Sequence, residues 1–510
     1  QILNYNGTIN ISGGTTTLSS YIYNVYSSPY TPVINMVGGT LNTVSILNYA
    51  GTINHSGGTI NNSGYYYEAN TTGGRYYGTG SATMNFTGNN YIYVTTTTSS
   101  RTYFNHVTIS DTRYIHTSQS LALDINGNFT INSGATFQAN GKQMLMAGNW
   151  TNNGTFTHGN NTVTFDGGNQ SLGGGTTFYK VKFNGSGTKT VGSGTWVSSG
   201  SYSGTKISSG VTLDLGAGTW TVNNHYALEV GGTLNIHGGT FTVTNASNGN
   251  GASGSSTADS WLSGSVLNVS SGTYHCGYDA SLADATVNLS GTGAITVNND
   301  LWGTGTLNQT GGTIRNSTGG GAFTLNGGSL TGGVMNVYNT SSRGLSIAGN
   351  TTATNGHTTN ILNSNITNKP SVSAGFSAQL GNVVIGASSG LVFGTGSSLA
   401  IKGNFTINSG KTFDANGNPF SVASNWTNNG TFTHDNNTVI FDGTIGQTIS
   451  GSSPTYFYNV DVTNTHADGI TISSPTPGVA YWSNEINLPG TLPGGLKVPA
   501  GTGYWEDSTP

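Results

Sequence analysis

The strongest constraint on this chain is a duplication. The stretch Gly127–Gly167, GNFTINSGATFQANGKQMLMAGNWTNNGTFTHGNNTVTFDG, returns without a gap at Gly403–Gly443 as GNFTINSGKTFDANGNPFSVASNWTNNGTFTHDNNTVIFDG, with 31 of 41 positions identical. A compact chain of 510 residues would divide into about three or four domains, but tandem repeats bury their apolar faces on their neighbours and escape that limit.

Shorter phrases repeat the same theme. GTINISGGTTTL begins at Gly7, GTINHSGGTINN at Gly51, GTLNIHGGTFTV at Gly232 and GTLNQTGGTIRN at Gly305, with a degenerate SVLNVSSGTYHC at Ser265. In each, the Gly-Thr step (or its stand-in) recurs after seven residues, enough for a short strand and a turn and too few for a capped helix. The Gly-Gly pairs permit positive φ where the chain turns. Charged residues are only 6% of the chain while aromatics reach 10%, a β-forming rather than a disordered composition. The expected fold is therefore all-β: a parallel β-helix, or β-solenoid, of about twenty coils at the usual spacing between strands, with a Pro-rich C-terminal cap or arm.

The organisation reads as short-repeat coils over 1–120, a first long module over 121–191, short-repeat coils over 192–398, a second module over 399–465 and a terminal segment over 466–510. Each phrase of the module is one strand, with Phe129, Phe137, Trp150, Phe156 and Phe165 as large inward residues. Phe405, Phe413, Trp426, Phe432 and Phe441 are their counterparts in the second copy. The Gly/Ser-rich stretch Asn245–Thr257 reads as an excursion loop. Six of the eleven prolines lie at Pro475 or beyond. Because proline cannot donate to a ladder, this tail either caps the sheet edge or forms an arm that docks on a neighbour.

Two sets of residues invite closer reading. Asn10, Asn54, Asn235, Asn268 and Asn308 hold the same place in the short phrase and are expected at equivalent corners. Their amides either stack from coil to coil, as in cross-β ladders, or serve isolated turns; recurrence at one phrase position favours the ladder. Tyr65, Tyr66, Tyr67, Tyr76 and Tyr77 form a Tyr-rich region. They are either a surface patch that stacks on sugar rings or another subunit, or the packed face of a wider coil, which is the plainer reading.

The coil phrases resemble those of secreted bacterial right-handed β-helix proteins of the filamentous-haemagglutinin and autotransporter-passenger kind. The GNWTNNGTFTH…NNTVTFDG module resembles repeats in very large bacterial surface proteins. The resemblance implies fold and an extracellular or cell-surface location more than activity, since such families hold adhesins, fibre components and polysaccharide-degrading enzymes.

Little in the sequence calls for chemistry. The 18 acidic residues are spread thinly, and Asp166 and Asp442 sit before Gly at the same module position, which is ordinary turn usage. No HxH, HExxH or CxxC occurs, and Asp-rich calcium loops are missing. The chain is thus expected to be no enzyme, with no catalytic, cofactor or metal residues. Cys276 is the single cysteine, so no intrachain disulfide can form. Scattered basic residues give no stripe for nucleic acid, and no apolar run is long enough to span a membrane. The chain starts inside a repeat and without Met, as a processed chain or a piece of a longer one would. The expected role is a structural subunit of a self-assembling extracellular filament or surface layer, its partners being copies of itself joined head to tail. The alternative is an adhesin or carbohydrate-binding stalk, with surface polysaccharide as partner.

Overall fold

The computed structural model describes residues 1–25, 31–68, 74–94, 102–119, 121–200, 203–224, 228–244, 260–262, 264–281, 284–302, 305–316, 323–338, 345–362, 371–390, 392–473, 480–488 and 496–497. Among these there is no helix. Short strands pair in parallel with the equivalent strand one coil on, as a β-solenoid requires. The chain forms two compact units, Gln1–Ala252 and Ser253–Pro510.

In the first unit each early coil has three faces. The second coil, for example, runs through Val33–Met36, Thr40–Thr43 and Ser45–Asn48. Alternation with a period of two decides what is buried. In Thr40-Leu41-Asn42-Thr43 the outward Thr40 and Asn42 are half-buried, while Leu41 and Thr43 point inward. On the second face Leu41, Ile60, Met84, Val107, Phe129 and Trp150 lie one above the next in register. Coil length is not constant: Ile9 pairs with Ile34 and Ile34 with Ile53, so one coil takes 25 residues and the next 19. Bends absorb the difference. At one of them Gly58 has φ 84°, and a Cβ there would lie 2.4 Å from the Gly39 carbonyl oxygen, so both the backbone and its close approach require glycine.

The duplicated module is two coils. Phe129 pairs with Trp150, Phe137 with Phe156 and Met144 with Val163; in the second unit Phe405 pairs with Trp426, Phe413 with Phe432 and Phe420 with Val439. All ten aromatic positions singled out above are buried, Phe156 being the least so at 8% exposed. Packing repeats closely: Phe137 on Phe156 and Phe413 on Phe432 both stack at 6.3 Å and 13°. The Trp150 Nε1–H donates to Thr176 Oγ1 at 2.9 Å, and Trp426 donates to Thr455 Oγ1 at 3.2 Å. Where the copies differ, chemistry is conserved in function. Lys189 Nζ donates to Gln170 Oε1, and in the second copy Asn464 Nδ2 donates to Gln447 Oε1, both at 2.7 Å.

Asn10 and Asn54 belong to one ladder, through an intermediate. Asn35 Nδ2 donates to Asn10 Oδ1 and Asn54 Nδ2 to Asn35 Oδ1, each at 2.9 Å. Asn268 and Asn308 are joined through Asn288 at 2.8 and 3.0 Å. Asn235 has Asp214 as its register neighbour on the preceding coil. These residues lie within strands on the outward face rather than at corners, because the apolar residue before each one points inward. A further ladder, Asn42–Asn61–Asn85, runs along the second face at 2.8 and 2.9 Å. Asn61→Ala removes both of its bonds and is expected to lower stability by about 1–2 kcal/mol. Urea titration of the purified variant checks this; a midpoint indistinguishable from the parent would show that water replaces the amides without loss.

In the second unit Thr306–Asn316 and Gly328–Val337 run as long strands through a corner that other coils break, with a register shift at Gln309/Thr310. The described part of the C-terminal segment continues the solenoid. Ala480–Asn487 pairs in parallel with Thr455–Val462, and Leu496–Lys497 with the strand holding Ile470 and Thr471. The excursion loop Asn245–Thr257 and the rest of the proposed cap or arm lie outside the described residues.

Candidate functional site

The third face of the first unit carries the most distinctive surface. Its inward residues Ile22, Ile46, Tyr66, Ile92 and Ile115 are in register. Most residues on either side of these point outward and are aromatic. Around Ile46, Ser45 is buried and Leu47 holds the register place of Tyr23 and Tyr67, and the ring there comes from Tyr49 in the bend after the strand. One outward column passes through Tyr23, Tyr49, Tyr67, Tyr93 and His116, with ring centroids 5.2, 5.1, 5.1 and 4.6 Å apart. Beside it, Tyr65 meets Tyr91 at 4.7 Å, and Tyr91 meets Tyr114 at 6.1 Å. Successive tyrosine rings in the first column are tilted by 39–49°, so the column presents a stair of ring edges and faces. Tyr65 is 44% exposed and most of the others are half-buried. Burial, and then the proximity of neighbouring phenols, raises the pKa of Tyr49, Tyr67 and Tyr91. Their hydroxyls are therefore protonated and available as donors at neutral pH.

The Tyr-rich patch read from the sequence is divided by this geometry. Tyr65 and Tyr67 belong to the outward columns. Tyr66 and Tyr76 point inward, 0% and 1% exposed, and meet edge to face at 6.1 Å. Period-two alternation forbids three consecutive tyrosines from sharing one side of a strand. Tyr77 lies on a different face, 5.3 Å from Tyr103. The outward set had a sequence signal: aromatic residues two apart, at Tyr21/Tyr23, Tyr65/Tyr67, Tyr91/Tyr93 and Tyr114/His116, recurring by coils.

Alongside this face runs an open groove of about 450 Å³, lined by the Asn42–Asn61–Asn85 ladder and by bend residues including Val44, Ser63 and Thr87. Each ladder amide carries two N–H groups and spends one on its neighbour, so the second can reach a ligand.

Beneath the aromatic columns is a buried polar cluster. Glu68 accepts a hydrogen bond from Tyr66 at 2.9 Å and another from Thr102. His55 Nδ1 lies 2.5 Å from the Tyr76 hydroxyl, and its Nε2 3.1 Å from the Gly58 carbonyl. Both Glu68 and His55 are 0% exposed, which cuts them off from any substrate in solution. Burial lowers the His55 pKa to about 4, keeping the ring neutral. The module histidines have a local explanation: His158 and His434 stack on Tyr179 and Tyr458 at 5.7 and 5.6 Å, and each accepts an N–H two residues on. Among the described residues no three His, Cys, Asp or Glu side chains are gathered as a metal would require. Cys276 is buried, its thiol directed at the Asp279 carbonyl 3.2 Å away. Set against protein-family models, curated proteins and solved structures, the chain finds no match in any of the three.

Proposed function

We propose that this chain is a structural element of an extracellular filament or surface layer, built by head-to-tail association of its own copies. The observation that carries this reading is the repetition of uncharged side chains in columns along the coils. Thr15, Thr40, Thr59 and Thr83 form one column, and Asn42, Asn61 and Asn85 another two residues away. With 14 basic and 18 acidic residues in 510, little charge repulsion opposes contact between copies. A solenoid coil also carries a strand edge that another coil can take up, and such a heterologous contact between copies propagates. The scarcity of Lys and Arg, which leaves few sites for trypsin-like proteases, fits an exposed setting outside the cell. Electron microscopy of the purified chain at neutral pH, without ligand, tests the proposal. Filaments with a regular axial repeat are expected; separate particles at every concentration would overturn self-assembly.

The tyrosine columns favour a second reading, a cell-surface adhesin or carbohydrate-binding stalk. Core packing does not explain rings that point outward, and Tyr joins an apolar face to a polar tip as a sugar-binding surface needs.

A further inference from the structure

We infer that the tyrosine columns of the first unit bind a neutral, extended, β-linked polysaccharide lying along the stack of coils, one sugar ring to each tyrosine step. This rests on the carbohydrate-binding reading above and specifies its ligand.

Three observations point to that ligand. The first is spacing. Tyr23, Tyr49, Tyr67 and Tyr93 follow one another at 5.2, 5.1 and 5.1 Å, close to the length that one pyranose unit adds to an extended β-1,4-linked chain. A helical or branched glucan does not keep that step. The second is chemistry. A pyranose presents C–H groups on its faces and hydroxyls around its rim, and a column of protonated tyrosines offers rings for the faces and hydroxyls for the rim. The amide ladder in the adjoining groove supplies further donors and acceptors.

The third is charge. The outward side chains on the strands of this face are uncharged at neutral pH. Its one cation, Arg113, is turned inward and 0% exposed. Arg113 donates to the Gly64 and Asn62 carbonyls at 2.6 and 3.0 Å, and its guanidinium lies 4.6 Å from the centre of the Phe86 ring. Asp111, exposed at the bend beside this strand, would repel an acidic polymer. On the described strands of this face a uronic-acid or sulfated glycan therefore finds no outward counter-charge, whereas a neutral one has only hydroxyls to pair again.

The test is co-sedimentation of the full chain with microcrystalline cellulose and with chitin, with soluble glycogen and amylose as comparisons in affinity electrophoresis. The double variant Tyr67→Ser/Tyr93→Ser removes two adjacent rings from the column, and Tyr179→Ser, far along the chain, serves as control; circular dichroism verifies folding of each. Binding to cellulose or chitin is expected, weakened about tenfold or more in the double variant and little changed in the control. Tyrosine-dependent binding to glycogen or amylose alone would overturn the extended-chain inference and leave the carbohydrate reading standing. Failure to bind any of the four would overturn both. Cellulose binding that survives the double substitution would remove it from this face. If sedimentation velocity instead shows self-association that the double variant abolishes, with no glycan bound, the columns are a contact between copies and the inference falls.

Discussion

Near pH 9, Glu68→Gln is expected to stabilise the first unit, and near pH 4.5 to leave it almost unchanged. Glu68 is wholly buried. That burial raises its carboxyl pKa from 4.5 to about 8, against the opposing effects of hydrogen bonds from Thr102 and Tyr66 and the charge of Arg75. In this window the folded state holds a proton that the unfolded state has released. Stability from this group is therefore undiminished below pH 4.5 and falls as pH rises toward 8. The loss is on the order of 4 kcal/mol. Glutamine keeps the shape of the protonated acid and has no proton to lose. His55 works in the opposite sense. Burial lowers its pKa from 6.5 to about 4, so its share of stability is present above pH 6.5 and is lost as pH falls toward 4. Since both proteins retain His55, the difference between their urea midpoints at each pH isolates Glu68. Equal midpoints near pH 9 would show that the carboxyl ionises without penalty.

Trp150→Ala is expected to cost about 3–5 kcal/mol. The ring is 0% exposed and meets Phe129, Phe156 and Phe178 at 4.9, 5.1 and 5.4 Å. Alanine leaves a cavity between three aromatic neighbours and leaves Thr176 without its indole donor. Coils depend on their nearest neighbours for stability, so the loss should be local. Hydrogen exchange should accelerate in Phe129–Ile131 and Thr176–Phe178 well before it does in early coils such as Thr8–Ile11. Trp426→Ala should behave alike in the second unit, because Trp426 meets Phe405 and Phe432 at 4.7 and 5.0 Å. A cost below about 1 kcal/mol in either would mean that the coils close over the gap.

The parallel solenoid could be read from the sequence because its signals are local. A phrase such as Thr-Ile-Asn-His needs only alternation and a following Gly-Gly to define one strand and one bend. The module aromatics were legible for the same reason, since each large apolar residue stands alone between polar ones. Register was not legible. Coils of 25 and 19 residues follow one another, and the phrase around Asn35 opens on Pro32-Val33 where the others have Gly-Thr, so a search for that phrase does not reach it. Alternation divides the tyrosine patch between the two alternatives that the sequence leaves open. Once Tyr66 is inward, Tyr65 and Tyr67 must be outward and Glu68 must be inward, although a glutamate beside three tyrosines looks like a surface residue. The outward columns needed register as well, because Tyr67 and Tyr93 become neighbours only when the coil between them has closed.

The duplicated phrase holds six strands, which is two whole turns of the chain. A piece of that kind can be copied into a solenoid anywhere that a turn is completed. It brings its own inward aromatics and its own bends, and the strands on either side find edges of the kind they had before. A copy that ended partway round would leave strands facing loops, and one shifted by a single residue within a strand would exchange inside for outside. Recombination can therefore revise the length of such a protein only in whole turns. The 31 shared positions are what such a step leaves behind: Phe129 and Phe405, Trp150 and Trp426 still occupy the same places in their turns, while inward Met144 and Met146 have Phe420 and Val422 as counterparts and outward Leu145 has Ser421.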